Sequence, residues 1–497
     1  MTAYEELERR FGRISAINDA LGILQWDSET IMPAGAAEGR AEQLASLKIV
    51  AHELLTDACV GDLLADADAD AGSLDEWRTA NLREMRRAYV HATAVPASLV
   101  EANSRAVSRC EITWREARPN ADFAMLLPSL SEVLSRQRDI AQAKAAALGC
   151  SPYDALLDGY EPGGSAQRID AVFAELEAFL PGFLPEVMEA QLGRGAVLEP
   201  EGPFPVEAQR ALGVRMMKTV GFDFERGRLD VSLHPFCGGA TGDVRITTRY
   251  DEADFTSALM GVLHETGHAL YEQGRPRAWK GQPVSDARGM SLHESQSLLI
   301  EMQACRSRPF LDYAAPLLRE AFAAEGLAWE PGNLHRLYTR VRPGFIRVDA
   351  DEVTYPAHVL LRYRLERLLI AGDMDLRDLP EAWNRGMKDL LGLDVPHDRL
   401  GCLQDIHWPA GAWGYFPTYT LGAMTAAQLF DAACTAEPDI LPAIGRGDFH
   451  PLVAWLRANV HGQGSLLPAD DLLTRATGRP LEAGVFIRHL QRRYLDA

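Results

Sequence analysis

The chain has no run of about 18 apolar residues, so no membrane-spanning helix is expected. It has no surplus of positive charge: 50 Lys and Arg stand against 70 Asp and Glu, a formal net charge of −20. That excludes nucleic acid and anionic membrane as main partners. Cysteine is scarce: seven are scattered through 497 residues with no paired CxxC spacing. An odd, sparse set implies reduced thiols and a cytoplasmic setting. Cys237, close to His234, reads as a buried structural thiol rather than a metal ligand. There is also no low-complexity linker and no internal repeat. The opening stretch, Met1 to Arg10, reads as the start of a charged amphipathic helix and not as a signal peptide.

What the chain does have is the composition of a large soluble globular protein, 47% hydrophobic and 24% charged. Most of it reads as helix. Long helical patterns rich in Ala, Leu, Glu and Arg cover 3–26, 36–58, 74–115, 121–149, 166–193 and 205–220. Proline and glycine mark the joints, at Met32-Pro33-Ala34-Gly35, Glu161-Pro162-Gly163-Gly164 and Glu199-Pro200-Glu201-Gly202-Pro203. The expected fold is mostly α: a single elongated helical body spanning 1–497, in one or two lobes, with its chemistry concentrated at about 228–425. Strand signals occur at Arg228–Pro235 and Asp243–Tyr250. In the second, Val244, Ile246, Thr248 and Tyr250 alternate with Arg245, Thr247 and Arg249. The turn from Gly238-Gly239 to Gly242 predicts a hairpin joining the two, with a free edge to which an extended peptide could add.

The stretch that bears most directly on function is His264-Glu265-Thr266-Gly267-His268. It falls in a helical pattern from Asp254 to Gln273, with Asp254 as N-cap and Gly274 as stop. Two histidines four apart lie on one helix face and can grip one zinc ion. Glu265 projects beside them as a general base for a metal-activated water. The third ligand is sought in Ser291-Leu292-His293-Glu294-Ser295-Gln296, which opens a second helix running to about Arg306. Glu294 is the first choice and His293 the rival. Two His and one Glu leave a fourth position for water, the arrangement hydrolysis needs. Co2+ or Mn2+ could take the place of Zn2+ in such a site.

Further short segments accompany this motif: His234-Pro235-Phe236, Asp243-Val244-Arg245-Ile246-Thr247, Ile346-Arg347-Val348-Asp349-Ala350-Asp351, Gly401-Cys402-Leu403-Gln404-Asp405-Ile406-His407-Trp408 and Gly414-Tyr415-Phe416-Pro417-Thr418-Tyr419. Gln25-Trp26-Asp27 with Met32-Pro33, and Tyr153 to Asp158, join them upstream. With these the chain resembles the carboxypeptidase Taq family of zinc metallocarboxypeptidases, in order and over nearly its whole length. The resemblance implies a deep central groove, a homodimer, and removal of single residues from peptide C-termini with broad preference. It implies His264, His268 and Glu294 as ligands and Glu265 as base. The chain departs from the family pattern at Leu298 and Ile300, where an arginine and a tryptophan are expected nearby, and at Pro356, where a polar residue is expected.

Amide hydrolysis also needs a donor for the oxyanion, for which His407, Tyr415 and Tyr419 are the candidates. An exopeptidase must hold a free carboxylate, best done by an arginine fork. Arg347 leads, with Arg342 and Arg245 as alternatives; Asp243, Asp349 and Asp351 are read as groups that orient these arginines or back the ligand histidines. His234 is read as pointing into the cleft. Two other readings stay open: an endo-acting oligopeptidase built on the same helix pair, and a helical scaffold with a structural metal. Glu265 argues against the scaffold, because a structural site has no use for a base.

Overall fold

A computed structural model describes residues 2–496. Twenty α-helices and three short strands make up its regular structure among the described residues, so the mostly α expectation holds. Most of the sequence-read helices recur with small shifts, as Ala3–Thr30, Ala37–Thr56, Phe123–Leu148, Ala166–Gly193 and Val206–Val220. The pattern over 74–115 is two helices, Glu76–Thr93 and Ala97–Asn120. Pro96 separates them: it lacks the N–H a continuing helix needs and disfavours helical geometry at Val95.

The sheet differs from the expected hairpin. Strand β1 (Gly227–Val231) pairs parallel with β3 (Asp243–Thr248), and β2 (Cys237–Ala240) pairs antiparallel with β3 on the other side. The order is β1-β3-β2. The hairpin is therefore β2–β3, closed by the two residues Thr241 and Gly242, and the loop 232–236 carries the chain across. The physical reason is local. Ser232 Oγ donates to the His234 carbonyl 2.6 Å away, and Pro235 has no N–H to extend the ladder. The Gly238-Gly239 pair, which reads as a turn, is itself strand. Asp19 of the N-terminal helix accepts from Thr241 N at 2.9 Å and from its hydroxyl at 3.1 Å, tying that helix to the hairpin.

Two large buried clusters form most of the core, with smaller ones among the N-terminal helices and behind the sheet. One gathers side chains from helices Ala97–Asn120, Phe123–Leu148, Ala166–Gly193, Tyr355–Ala371, Leu379–Leu391 and Ala483–Tyr494. The other gathers Val206–Val220, Phe255–Gly274, Gly289–Leu298 and Arg308–Phe322 with the segment 440–473. Helix Pro417–Ala436 serves both: Leu421, Met424 and Ala427 enter the first cluster, and Ala426, Leu429 and Ala433 the second. The candidate site residues lie along this seam. No helix among the described residues is long and apolar enough to cross a membrane.

Candidate active site

The helix Phe255–Gly274 begins as the sequence suggests. Asp254 accepts from the backbone N–H of Thr256 at 2.9 Å and of Ser257 at 3.3 Å, so the first turn is capped by a carboxylate. Its end is a different matter. Gly274 is the last helical residue and not a left-handed stop. Glycine is needed there because a β-carbon would lie 2.7 Å from Cβ of His461. The second helix, Gly289–Leu298, runs on as a π-helix over Leu299–Cys305. The wider turn alters which residues face the first helix.

These two helices bring His264, His268 and Glu294 together. One ligand atom from each lies within 4.8 Å of the others. The ring orientations suit a cation. His264 Nδ1 sits 2.9 Å from Glu301 Oε2, and His268 Nδ1 sits 3.1 Å from the His293 carbonyl oxygen. Each histidine thus spends Nδ1 on an outer partner and presents Nε2 inward. His268 Nε2 is 3.5 Å from Glu294 Oε2. Burial alone would lower the His264 pKa, but the hydrogen bond to Glu301 and the neighbouring Glu294 carry it to about 10. The carboxylates therefore concentrate negative potential at this point. Burial lowers His268 to about 4, which keeps that ring neutral, while the carboxylates that favour a proton on His264 would equally favour a divalent cation in its place.

His293, the rival ligand, lies outside this group. Its ring stacks on His268 with centroids 4.6 Å apart, and its Nε2 pairs with Glu272 at 3.0 Å. It packs the site rather than completing the triad. Glu265 is 7% exposed, and its Oε2 is buried without a hydrogen-bond partner. Burial raises its pKa to about 7.

Sequence reading missed Glu301. Arg306 holds this residue at 2.5 Å and itself donates to the Tyr338 carbonyl at 3.2 Å. An α-helical reading would set Glu301, seven residues after Glu294, near the same face; the π-helix over Leu299–Cys305 decides where it points. Of the acids read as orienting the arginines or backing the histidines, Asp243 does orient Arg245, and none reaches a ligand histidine. Asp243 pairs with Arg245 at 2.6 Å, Asp349 is exposed, and Asp351 caps the backbone of Val353 and Thr354.

The opposite wall is aromatic. His407 Nε2 lies 3.2 Å from the Tyr419 hydroxyl. The Tyr415 and Tyr419 rings meet edge to face at 5.2 Å, and Tyr415 packs the same way on Tyr160 at 5.0 Å. Burial lowers His407 to about 4. Below them Arg347 is 4% exposed. Its Nε and Nη2 donate to Asp405 Oδ1 at 3.1 and 2.9 Å, and its Nη1 donates to the Tyr355 hydroxyl at 2.9 Å. Arg362, fully buried, donates to the other oxygen of Asp405 at 2.7 Å. Two guanidiniums on one carboxylate leave one positive charge buried beneath the tyrosines. Asp405 and Tyr355 are further residues that the sequence reading did not assign.

The remaining expected residues sit apart. Arg245 pairs with Asp243, and its guanidinium lies 4.3 Å over the Trp26 ring, which gives the Gln25-Trp26-Asp27 segment a structural use. Arg342 is exposed, and His234 is exposed in the loop between β1 and β2. Two cavities lie near the candidate site, one reaching His264 and the other His293. One of about 230 Å3 is lined by His264, Glu294, Glu301, Tyr355, Leu298 and Pro356, among others. The other, of about 490 Å3, lies between β2, the N-terminal helix and His293. Two of the three departures from the family pattern, Leu298 and Pro356, therefore face the smaller cavity, while Ile300 is buried in the core.

A family model of the carboxypeptidase Taq (M32) metallopeptidases matches residues 6–494. Thermostable carboxypeptidase 1 of Thermus thermophilus is 40% identical over 99% of this chain and 98% of its own length. Carboxypeptidase 1 of Bacillus subtilis is 34% identical over 97% of this chain and 96% of its own. Among solved structures, Trypanosoma cruzi metallocarboxypeptidase 1 matches with a TM-score of 0.97 at 43% identity, covering 99% of each chain.

Proposed function

The chain belongs to the carboxypeptidase Taq (M32) family and is a metallocarboxypeptidase, and on that premise we propose that it trims single residues from peptide C-termini with Zn2+ held by His264, His268 and Glu294. The observation that carries this reading is the inward-facing His/His/Glu set beside a buried carboxylate with a free oxygen. A divalent ion bound there supplies the Lewis acidity that activates water and polarises an amide carbonyl; Co2+ or Mn2+ would serve the same donors.

The protein's own groups then divide the work. Glu265, with a pKa near neutrality, takes a proton from water and returns it to the leaving amine. Tyr415 and Tyr419 offer hydroxyl donors to the developing oxyanion, and His407 orients Tyr419. Carboxylate recognition falls to the Arg347 region. Because Arg347 donates into the Tyr355 oxygen, the Tyr355 O–H is free to point at a substrate carboxylate in the smaller cavity, with the buried positive charge behind it. Arg245 and His234, the other residues read as substrate-binding, lie outside both cavities, and in this reading they make no direct contact with the scissile residue.

The reading extends to a broad residue preference, a homodimer and a cytoplasmic location. It takes 1–497 as one peptidase domain with its core at about 228–425. Peptide substrates with a free C-terminus are the partners; nucleic acid and membrane are not. The test is a digest of unrelated peptides followed over time by mass spectrometry, with chelator and with Zn2+ restored. A ladder of single C-terminal losses that stops with chelator is expected. Internal cleavage would favour the oligopeptidase instead.

A further inference from the structure

Glu366 is a buried carboxyl that no step above uses. It lies in helix Tyr355–Ala371 and is fully buried. One of its oxygens accepts the backbone N–H of Gly414, and the other has no hydrogen-bond partner. No lysine, arginine or histidine pairs with it among the described residues. Arg362 and Arg367, its neighbours on the same helix, are committed to Asp405 and Asp170. Facing it from helix Pro152–Leu157 and the turn that follows are Tyr153 and Tyr160, whose hydroxyls burial pushes upward; the nearby Tyr153 hydroxyl favours the charged carboxylate only weakly against burial. Burial raises Glu366 itself to about 8, so it is largely a neutral acid at pH 7. An isolated carboxyl in a core is a poor source of stability; an apolar side chain of the same size would cost less. What it provides is an aimed acceptor.

The target of that acceptor has little else to hold it. Gly414 has φ of +88°, and a β-carbon there would lie 2.9 Å from the backbone nitrogen of Leu157. No other residue fits this crossing, yet glycine brings no side chain to fix the backbone. Trp413 on one side is anchored by stacking on Trp408, with centroids 5.4 Å apart. Tyr415 is on the other side and belongs to the reactive wall.

We propose that Glu366 is a positioning residue: it clamps the Gly414 backbone and so holds the Tyr415 hydroxyl in register with the site. This rests on the role given to Tyr415 above. The clamp acts through the backbone and touches no substrate.

The experiment compares E366Q, E366L and Y415F, alone and combined, in the full-length zinc-loaded protein. Glutamine keeps an acceptor oxygen at the same reach, so E366Q is expected within about threefold of wild-type kcat. Leucine fills the space without an acceptor. E366L is expected to lose about tenfold or more in kcat, with KM within about twofold and zinc content unchanged. In the Y415F background the leucine change should cost little more, since both act through one hydroxyl. Should E366L not fold, E366N makes the same comparison, because it keeps the amide but withdraws it by one methylene. Wild-type kcat in E366L or E366N, or full additivity with Y415F, overturns the proposal. If Y415F alone turns over normally, the role of Tyr415 has failed. The clamp is then judged by hydrogen exchange at the Gly414 amide: protection lost in E366L and kept in E366Q supports it, and equal protection overturns it.

Discussion

Gly267 lies so close to Gln296 that a β-carbon on it would be 2.4 Å from the Gln296 carbonyl oxygen. The contact is backbone against backbone, between the two helices that carry the proposed metal ligands, and it sits next to His268. Gly422 makes a similar approach possible from helix Pro417–Ala436, where a β-carbon would lie 2.9 Å from Cβ of Glu294. The distance from His268 to Glu294 is set by these bare surfaces. Gly267→Ala should therefore spread the helices. Overpacking of this kind typically costs about 1–3 kcal/mol. A fall in thermal midpoint together with weaker zinc retention is expected; zinc affinity equal to wild type would show that the site tolerates the shift.

Glu265→Gln should abolish most turnover while zinc stays bound. Glutamine has the same shape but cannot accept the proton, and Glu265 is outside the ligand set. Metal analysis and kcat of the purified variant check this. Substantial residual turnover would move the base elsewhere, and loss of metal would make Glu265 a ligand.

Removing Glu294 and removing Glu301 should differ in degree. Glu294→Ala deletes a ligand and should release zinc under a mild chelator. Glu301→Ala leaves all three donors but frees the His264 ring, and loss of such an outer partner typically weakens metal binding about 10–100-fold. Excess zinc should restore most activity to the Glu301 variant. Equal chelator resistance in Glu301→Ala and wild type would deny Glu301 this role.

Glu352 ties the C-terminal helix Ala483–Tyr494 to the floor of the site. It accepts from His489 and Arg493, each at 2.9 Å, and from the Tyr494 hydroxyl at 3.0 Å. Burial opposes its charge, but Arg493 and His489 outweigh that and hold its carboxyl well below the usual carboxylate range. A depressed carboxylate stabilises the fold above its unfolded pKa, and the contribution is lost as pH falls below about 4.5. Glu352→Gln should therefore cost about 3–5 kcal/mol at pH 7, as for a broken buried pair. The gap from wild type should narrow as pH drops from about 5 toward 3. Denaturant melts at a series of pH values measure it, and a gap constant with pH would show that the charge contributes nothing.

Arg347→Ala should cut kcat/KM on peptides with a free C-terminus by one to two decades, since it removes the charged donor that turns the Tyr355 hydroxyl toward the carboxylate, and a charge-assisted hydrogen bond is worth about 1.5–3 kcal/mol. Amidated versions of the same peptides should be affected far less. Arg347→Lys should recover only part, because an ammonium cannot serve Asp405 and Tyr355 together. Tyr355→Phe should reproduce the selectivity loss in milder form. An unchanged ratio of free to amidated rates in Arg347→Ala would move carboxylate binding to another residue.

Much of the centre was legible in the chain because it is local. The HETGH spacing needs only helical periodicity to place two imidazoles on one face, and Asp254 caps its helix through its own neighbours. Glu294 follows from a second helix close along the sequence. The sheet was misread for an equally physical reason. Strand pairing joins segments through their backbones, and the Gly238-Gly239 pair carries no side chain that distinguishes a strand from a turn.

By itself the sequence determined the helical class and the spacing of the HETGH pair, because each depends on residue type and short-range periodicity. Tertiary structure decided the rest. The π-turn at Leu299–Cys305 put Glu301, not an aspartate, behind His264. Burial turned Arg347 from an open fork into one half-spent on Asp405. Contacts 58 positions apart, and the desolvation that gives them their strength, exist only once the chain has closed on itself.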